Sequence, residues 1–398
     1  MSEKISTRIN SLAVSQTLAM AQKSRELQSQ GIDVINLSVG EPDFPTPDHI
    51  KEAAKKAIDE NFSYYTPVPG IPELRKAIVE KFKRENNLDY TVDQIIVSAG
   101  AKHSIANVLA CVVDVGDEVI IPAPYWVSYV EMVKLADGVN VIVPAGIEND
   151  FKITPEQLEA AITPKTRAFL FSSPSNPTGS LYTKDELKAL ADVFAKHDNI
   201  IIISDEIYEH INYVGKHESI AQFENVKNRT VVVNGVSKGY AMTGWRIGYI
   251  GAPLWIAKAC NKLQGQVTSG VCSIAQKAAT AALTHDLSTT YKMREAFKRR
   301  RDLVLEKTKD IKGMKTSVPG GAFYIFADVT YYFGKSYKDT LIKNPEDLSL
   351  YLLAEAHVAT VSGDAFGDPN CLRFSYATAD DLLIKAMDRI KNALDKLS

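Results

Sequence analysis

The sequence predicts an α/β protein. Its large domain holds a mostly parallel seven-stranded sheet between helices, and a smaller α+β domain is built from both termini. Three observations carry this. Through the middle of the chain, short apolar runs, several of them β-branched throughout, alternate with longer amphipathic stretches. Strands covered on both faces and their crossover helices read this way. The chain has 398 residues, more than one hydrophobic core usually organises, so two domains are expected. The two ends follow a different pattern, which places residues 48–290 in the large domain and residues 1–47 with 291–398 in the small one.

Residues 15–30 carry one helix pattern, closed by Gly31. Residues 31–48 are rich in turn formers, including Gly40-Glu41-Pro42-Asp43-Phe44-Pro45. The seven apolar runs follow: Ile95–Val97, Val119–Ile121, Val139–Val143, Ala168–Phe171, Ile200–Ser204, Val231–Val233 and Tyr249–Gly251. Helix patterns lie between them at Ser104–Val113 and Lys184–His197. Thr183 and Glu186 are spaced as a capping box for the second. From residue 285 a charged helix runs to residue 310, followed by a strand–helix–strand set at Ala322–Ala327, Asp347–Glu355 and Leu372–Tyr376. There is no internal repeat, low-complexity tract or flexible linker.

Composition narrows the function classes. With 45% hydrophobic and 24% charged residues the chain reads as a soluble globular protein. A net charge of −2 gives no basic field for nucleic acid. The one basic cluster, Lys298-Arg299-Arg300-Arg301, lies among acids in the charged helix and is expected to be a solvated face. Cys111, Cys260, Cys272 and Cys371 show no metal-ligand spacing and suit buried thiols in a reducing compartment. The seven histidines form no metal motif, so no metal site is expected. His103 follows a glycine turn and is expected on a helix face. The first residues, Met-Ser-Glu-Lys-Ile-Ser, lack the apolar stretch of a signal peptide. No run of about 18 apolar residues suggests a membrane span. A cytoplasmic enzyme is the expectation.

Sites in open parallel sheets form beyond the carboxyl ends of the strands, and five of those ends carry candidate groups. Ser98-Ala99-Gly100-Ala101-Lys102-His103 puts small residues at a strand-to-helix turn, a ready anion site, although tight packing explains it as well. Pro122-Ala123-Pro124-Tyr125-Trp126 offers an aromatic that can stack on a planar ring or belong to the core. In Ser173-Pro174-Ser175-Asn176-Pro177-Thr178-Gly179 two prolines aim an amide, or form an ordinary turn. In Ser204-Asp205-Glu206-Ile207-Tyr208 a carboxylate ends a buried strand and needs a partner. A protonated pyridine nitrogen would serve, with Tyr208 donating to a phenolate; a helix cap is the plainer alternative. Last, Val231–Tyr249 carries Lys238 behind an apolar run and Arg246 among small residues. A desolvated lysine forms Schiff bases, and an arginine fork holds phosphate. Together these groups match pyridoxal phosphate.

Gly235-Val236-Ser237-Lys238, Ala241-Met242-Thr243-Gly244-Trp245-Arg246-Ile247-Gly248, Ser-Val-Gly-Glu-Pro-Asp-Phe at 38–44, Tyr-Thr-Pro-Val-Pro-Gly at 65–70 and Ser-Asp-Glu-Ile-Tyr at 204–208 resemble the fold-type I, class I pyridoxal-phosphate aminotransferases. Within these, the segments are similar to the bacterial aspartate aminotransferases of subgroup Ib. The resemblance covers nearly the whole chain and implies the pyridoxal-phosphate transferase fold. It implies that Lys238 carries the cofactor as a Schiff base and shuttles the proton, and that Asp205 pairs with the ring nitrogen. Tyr208 and Asn176 would bind the ring oxygen, and Trp126 would stack on the ring. Arg246, Ser237 and the backbone of Gly100, Ala101 and Lys102 would take the phosphate. Tyr65 would reach the phosphate of a neighbouring subunit, implying a homodimer with shared sites. Arg373 would hold the substrate α-carboxylate, and Gly40, Trp126 and Asn176 would line the substrate pocket. Gly235 stands where some relatives carry a phosphate-binding serine.

The implied reaction is transfer of the amino group of aspartate to 2-oxoglutarate. Thr17 and Lys102 are candidates to read a second carboxylate. Alternatives are a different donor, with prephenate, glutamate or aromatic amino acids as substrates, or a β-lyase on the same scaffold. A regulator with an aminotransferase-like domain would need a DNA-binding segment for which the chain has no room.

Overall fold

The computed structural model describes residues 5–14 and 16–398. The signal-peptide reading at residues 1–4, and Ser15 of the first helix pattern, lie outside the described residues. All seven apolar runs become strands of one sheet: β1 (Ile95–Ser98), β2 (Glu118–Ala123), β3 (Val139–Pro144), β4 (Thr166–Ser172), β5 (Ile201–Asp205), β6 (Thr230–Gly235) and β7 (Gly248–Gly251). Their spatial order is β1-β7-β6-β5-β4-β2-β3. Pairing is parallel from β6 through β3. Strand β7 runs antiparallel to both β1 and β6. The central strands are buried along their whole length because helices cover both faces. Edge strand β3 is the exception, with Val139 and Ile142 exposed.

The helix patterns form as expected, with shifted ends. The first is α1 (Gln16–Ser29), and Pro72–Lys81 forms α2. The pattern at Ser104–Val113 is α3 (Ala101–Val112), which starts a turn earlier because Gly100 leads straight into it. Lys184–Phe194 carries the Thr183–Glu186 capping box with both bonds made. The charged helix is α4 (Ser288–Lys309). Among the described residues no helix is long and apolar enough to cross a membrane.

The smaller unit is a second sheet. Its centre is β8 (Tyr324–Asp328) against β9 (Cys371–Ser375), antiparallel, flanked by Val361–Ser362 and Lys315–Thr316. Helix α4 and the helix Asp380–Leu394 share its core, where Phe297, Phe323, Leu372 and Ile390 meet. Ile35 and Leu37 from the N-terminal segment belong to the same core. Ile35–Asn36 pairs in parallel with Val358–Ala359, so both ends of the chain build this unit.

The expected solvated face at residues 298–301 holds for Arg299, which is exposed, and is corrected for Arg300 and Arg301. Arg300 and Arg301 are only 7% and 9% exposed. Arg300 forks onto Asp43 at 2.7 and 2.9 Å and reaches Asp380 at 3.1 Å. Arg301 donates to Pro319 O at 2.9 Å, and its guanidinium lies over the Tyr213 ring. Planar forks find carboxylates and aromatic faces that are distant in sequence. Of the four cysteines, Cys260 and Cys371 are buried, but Cys272, expected to be buried, is exposed at the start of a helix.

Candidate active site

Beyond the carboxyl ends of β1, β2, β4, β5 and β6 lies a cavity of about 480 Å³, within the range of small-ligand sites. Its lining includes Gly40, Ala101, Lys102, Trp126, Asn176, Asp205, Tyr208, Ser237, Lys238, Arg246, Arg373 and Thr17. The sheet has therefore gathered residues that the sequence separates by more than 300 positions.

One end of the cavity is built for an anion. Helix α3 begins at Ala101, so the N–H groups of Ala101 and Lys102 have no helix carbonyl within reach. Gly100 sits at φ +87°, and a Cβ there would collide with the Arg246 guanidinium. That glycine lets the arginine lie against the helix start. Arg246 itself holds φ +57°, and its fork donates to Thr243 O at 3.0 Å and Ala99 O at 3.1 Å. Ser237 is buried beside it. At Gly235 a Cβ would lie 2.8 Å from Ile247 O and 3.0 Å from Gly248 Cα, so this backbone has no room for the serine of some relatives. His103 is local, its Nδ1 accepting from Ala99 N–H at 3.2 Å, as a helix-face histidine does.

Lys238 follows β6 and points into the cavity, where its ammonium donates to Gly40 O at 2.6 Å. Burial pulls its pKa down to about 8; Glu41 opposes this, and Arg373 and Arg246 add to it. An amine at that value is available as a free base near neutrality.

Asp205 ends β5 at 4% exposure. Its Oδ2 accepts from Tyr129 Oη at 2.7 Å and its Oδ1 from Ile207 N–H at 3.2 Å. Its carboxylate holds the turn that follows the strand and caps no helix. Burial pushes its carboxyl up to about 6, against the pull of the Tyr129 bond. A carboxylate held in this way gains from a cationic N–H partner. Tyr208 shares a hydrogen bond of 2.7 Å with Tyr324 Oη. Tyr129 and Tyr324 are site residues that sequence reading missed, because each sits within an apolar pattern that reads as core.

The opposite wall carries Arg373 on β9, 2% exposed. Its Nη1 donates to Asn176 Oδ1 at 2.8 Å and its Nη2 to Ser38 O at 2.6 Å. The guanidinium lies between the Tyr324 and Phe366 rings, at 4.6 and 4.8 Å from their centroids. Among the described residues its buried Nε has no partner. A Cβ at Gly40 would collide with the Tyr324 hydroxyl, so this wall needs glycine there. Trp126 packs edge-on to Tyr129, and the Lys102 ammonium lies 4.9 Å from its ring centroid. Burial, helped by Arg246, lowers the pKa of Lys102. Tyr65 is apart from all of these, 100% exposed on the chain surface.

Five cationic side chains, with Arg25 the fifth, face two carboxylates, Glu41 and Asp205. Such a cavity favours an anionic ligand. The anion cradle at α3, the lysine with its lowered pKa, the buried carboxylate and the unpartnered Arg373 Nε fit a phosphorylated aldehyde with a basic ring nitrogen, together with a carboxylate substrate.

Comparison with known proteins extends this reading. A family model described as aminotransferase class I and II matches residues 32–390. The chain is 51% identical to an aspartate/prephenate aminotransferase of Cereibacter sphaeroides over 380 residues, covering 95% of each chain. Among solved structures it is similar to the aspartate aminotransferase of Rhizobium meliloti, with a TM-score of 0.96, 44% identity and 100% of both chains covered. It is also similar to the Thermus thermophilus aspartate aminotransferase with maleate, with a TM-score of 0.93, 42% identity, and 98% of this chain and 100% of the other covered.

Proposed function

This chain belongs to the class I and II aminotransferases, and on that premise we propose that it binds pyridoxal 5′-phosphate and transfers the amino group of aspartate to 2-oxoglutarate. The observation that carries the reading is Lys238: a near-neutral amine facing Asp205 at one wall of the cavity and Arg373 at the other. Bound pyridoxal phosphate supplies an aldehyde that condenses with amines and a ring that takes up the electron pair left when a Cα proton departs.

The chain's own groups have separable tasks. Arg246, Ser237 and the N–H groups at the start of α3 would grip the phosphate. Asp205 would pair with a protonated ring nitrogen, and Tyr129, donating to its Oδ2, aims it. Tyr208 and Asn176 would donate to the ring oxygen, and Trp126 would pack against the ring face. Arg373 offers its fork to the α-carboxylate and so presents Cα to Lys238. Lys238 Nζ then removes the Cα proton as a free base and returns it on the other side of the transfer. Lys102, and Thr17 from α1, line the cavity where a side-chain carboxylate would sit.

We further propose a cytoplasmic homodimer in which the exposed Tyr65 completes the partner's phosphate site, and a division between residues 48–290 and the two termini. Prephenate is a second substrate in this reading, favoured by the name of the Cereibacter relative. The test is a panel of amino donors with 2-oxoglutarate as acceptor, read as glutamate formed. Aspartate should lead the panel; no glutamate from any donor would overturn the proposal.

A further inference from the structure

The turn after β5 faces two ways. Asp205, Ile207 and Tyr208 line the cavity. Glu206 and Glu209, three residues apart, point away from it and are 1% and 5% exposed. Behind the cavity these two acids enter a buried ionic layer. Glu206 accepts from Ser204 Oγ at 2.9 Å and Ser219 Oγ at 2.6 Å, and lies 2.8 Å from His217 Nε2. Glu209 accepts from Asn86 Nδ2 at 2.8 Å and pairs with the Lys81 ammonium. Lys81, the last residue of α2, is fully buried and also donates to Asn86 Oδ1 at 2.7 Å. Glu85 completes the layer, 3.6 Å from Lys81 and 2.8 Å from His210.

This is a costly arrangement for a core. Neutral, well-packed side chains generally fill such space at no loss of stability. What charges supply instead is fixed direction. The turn itself has few ladder bonds: Glu206 N–H to Val233 O, Glu209 N–H to Glu206 O and Ile211 N–H to Tyr208 O. Beyond the ladder that holds Asp205 itself, the turn carries side-chain anchors that sit one residue along from each of the two cavity-facing groups. Burial pushes the Glu209 carboxyl up, but Lys81, His210 and His217 outweigh it and hold it ionised. Lys81 thus offsets part of the charge of Glu85 and Glu209, and His217 faces Glu206.

We propose that Lys81 and His217, acting through Glu209 and Glu206, are positioning residues that hold Asp205 and Tyr208 in register with the cofactor ring. This rests on the reading that Asp205 and Tyr208 touch that ring. Groups behind a ligating side chain must hold it to a fraction of an ångström, and their loss weakens binding well before it unfolds the protein.

The experiment compares wild type, the charge-neutral pair Lys81→Met/Glu209→Gln, and Glu206→Gln, which keeps shape, removes the charge and replaces one acceptor oxygen by a donor NH₂. Each is titrated with pyridoxal 5′-phosphate for Kd. The pH midpoint of the loaded protein's absorbance is then measured, with the Tm of the cofactor-free protein as a control. The expected result is a Kd raised about tenfold and a displaced midpoint in both variants, with Tm held near wild type. Wild-type Kd and midpoint in the variants would overturn the inference. If the pair does not fold, Glu206→Gln decides by the same two readings. Failure of the wild type to bind the cofactor would instead overturn the functional reading beneath it.

Discussion

Asp205→Asn should stabilise the cofactor-free protein while weakening the cofactor site. The carboxyl is 4% exposed, and its hydrogen-bond partners are Tyr129 Oη and Ile207 N–H. Burial raises its pKa from 3.8 to about 6. Keeping it ionised at neutral pH therefore costs up to about 3 kcal/mol, the free energy of roughly two pKa units. Because the folded pKa is the higher one, the cost is absent below the unfolded value. It grows as pH rises through the interval up to about 6 and is complete above it. Asparagine keeps both hydrogen bonds: its oxygen accepts from Ile207 N–H, and the Tyr129 hydroxyl turns to accept from its NH₂. The assay is thermal unfolding of the cofactor-free proteins at about pH 4.5 and about pH 8, where an advantage of about 1–3 kcal/mol appears as a few degrees in Tm. The variant should be the more stable at the higher pH and lose most of that advantage at the lower. With pyridoxal phosphate added the order should reverse, since only the carboxylate pairs with a protonated ring nitrogen. A variant less stable than wild type at the higher pH, or a difference independent of pH, would refute the reasoning.

Arg373→Lys removes the planar fork, and a point charge cannot replace it at a two-pronged site. KM for aspartate should rise by about 10–100-fold with cofactor Kd unchanged; a KM within twofold of wild type would count against the carboxylate role. Chains carrying Lys238→Ala should form no covalent adduct with the cofactor and should be inactive. Mixed and re-associated with Tyr65→Ala chains, they should regain activity, because one site of each hybrid dimer then has both residues intact; no recovery would contradict a site shared between subunits. Gly40→Ala should displace the Tyr324 hydroxyl and lower kcat, and a crystal structure of that variant with an unmoved Tyr324 would remove the argument.

The strands were legible because strand runs such as Ile201–Ile203 and Val231–Val233 are β-branched or apolar without interruption, which burial on both faces requires. The strand ends were legible because parallel sheets gather their ligand groups there, and Asp205, Asn176 and Lys238 do meet in one cavity. Tyr129 and Tyr324 escaped because an aromatic among apolar residues gives no sign of the hydroxyl partner it will find. Arg300 escaped for the reason that its acid, Asp43, lies 257 positions away. No local pattern distinguishes such a fork from a solvated one. Glu206 and Glu209 read as ordinary turn acids until α2 brings Lys81 behind them. Only family resemblance points to Tyr65, which lies fully exposed outside the cavity lining of its own chain.

The most direct measurement of the central claim is a single half-reaction. Protein loaded with pyridoxal phosphate is mixed with aspartate and no oxo acid, and oxaloacetate and ammonia are counted per site. The account predicts one equivalent of oxaloacetate, no ammonia, and no product from Lys238→Ala. Continued release of ammonia, or oxaloacetate formed by the Lys238 variant at the wild-type rate, would contradict it.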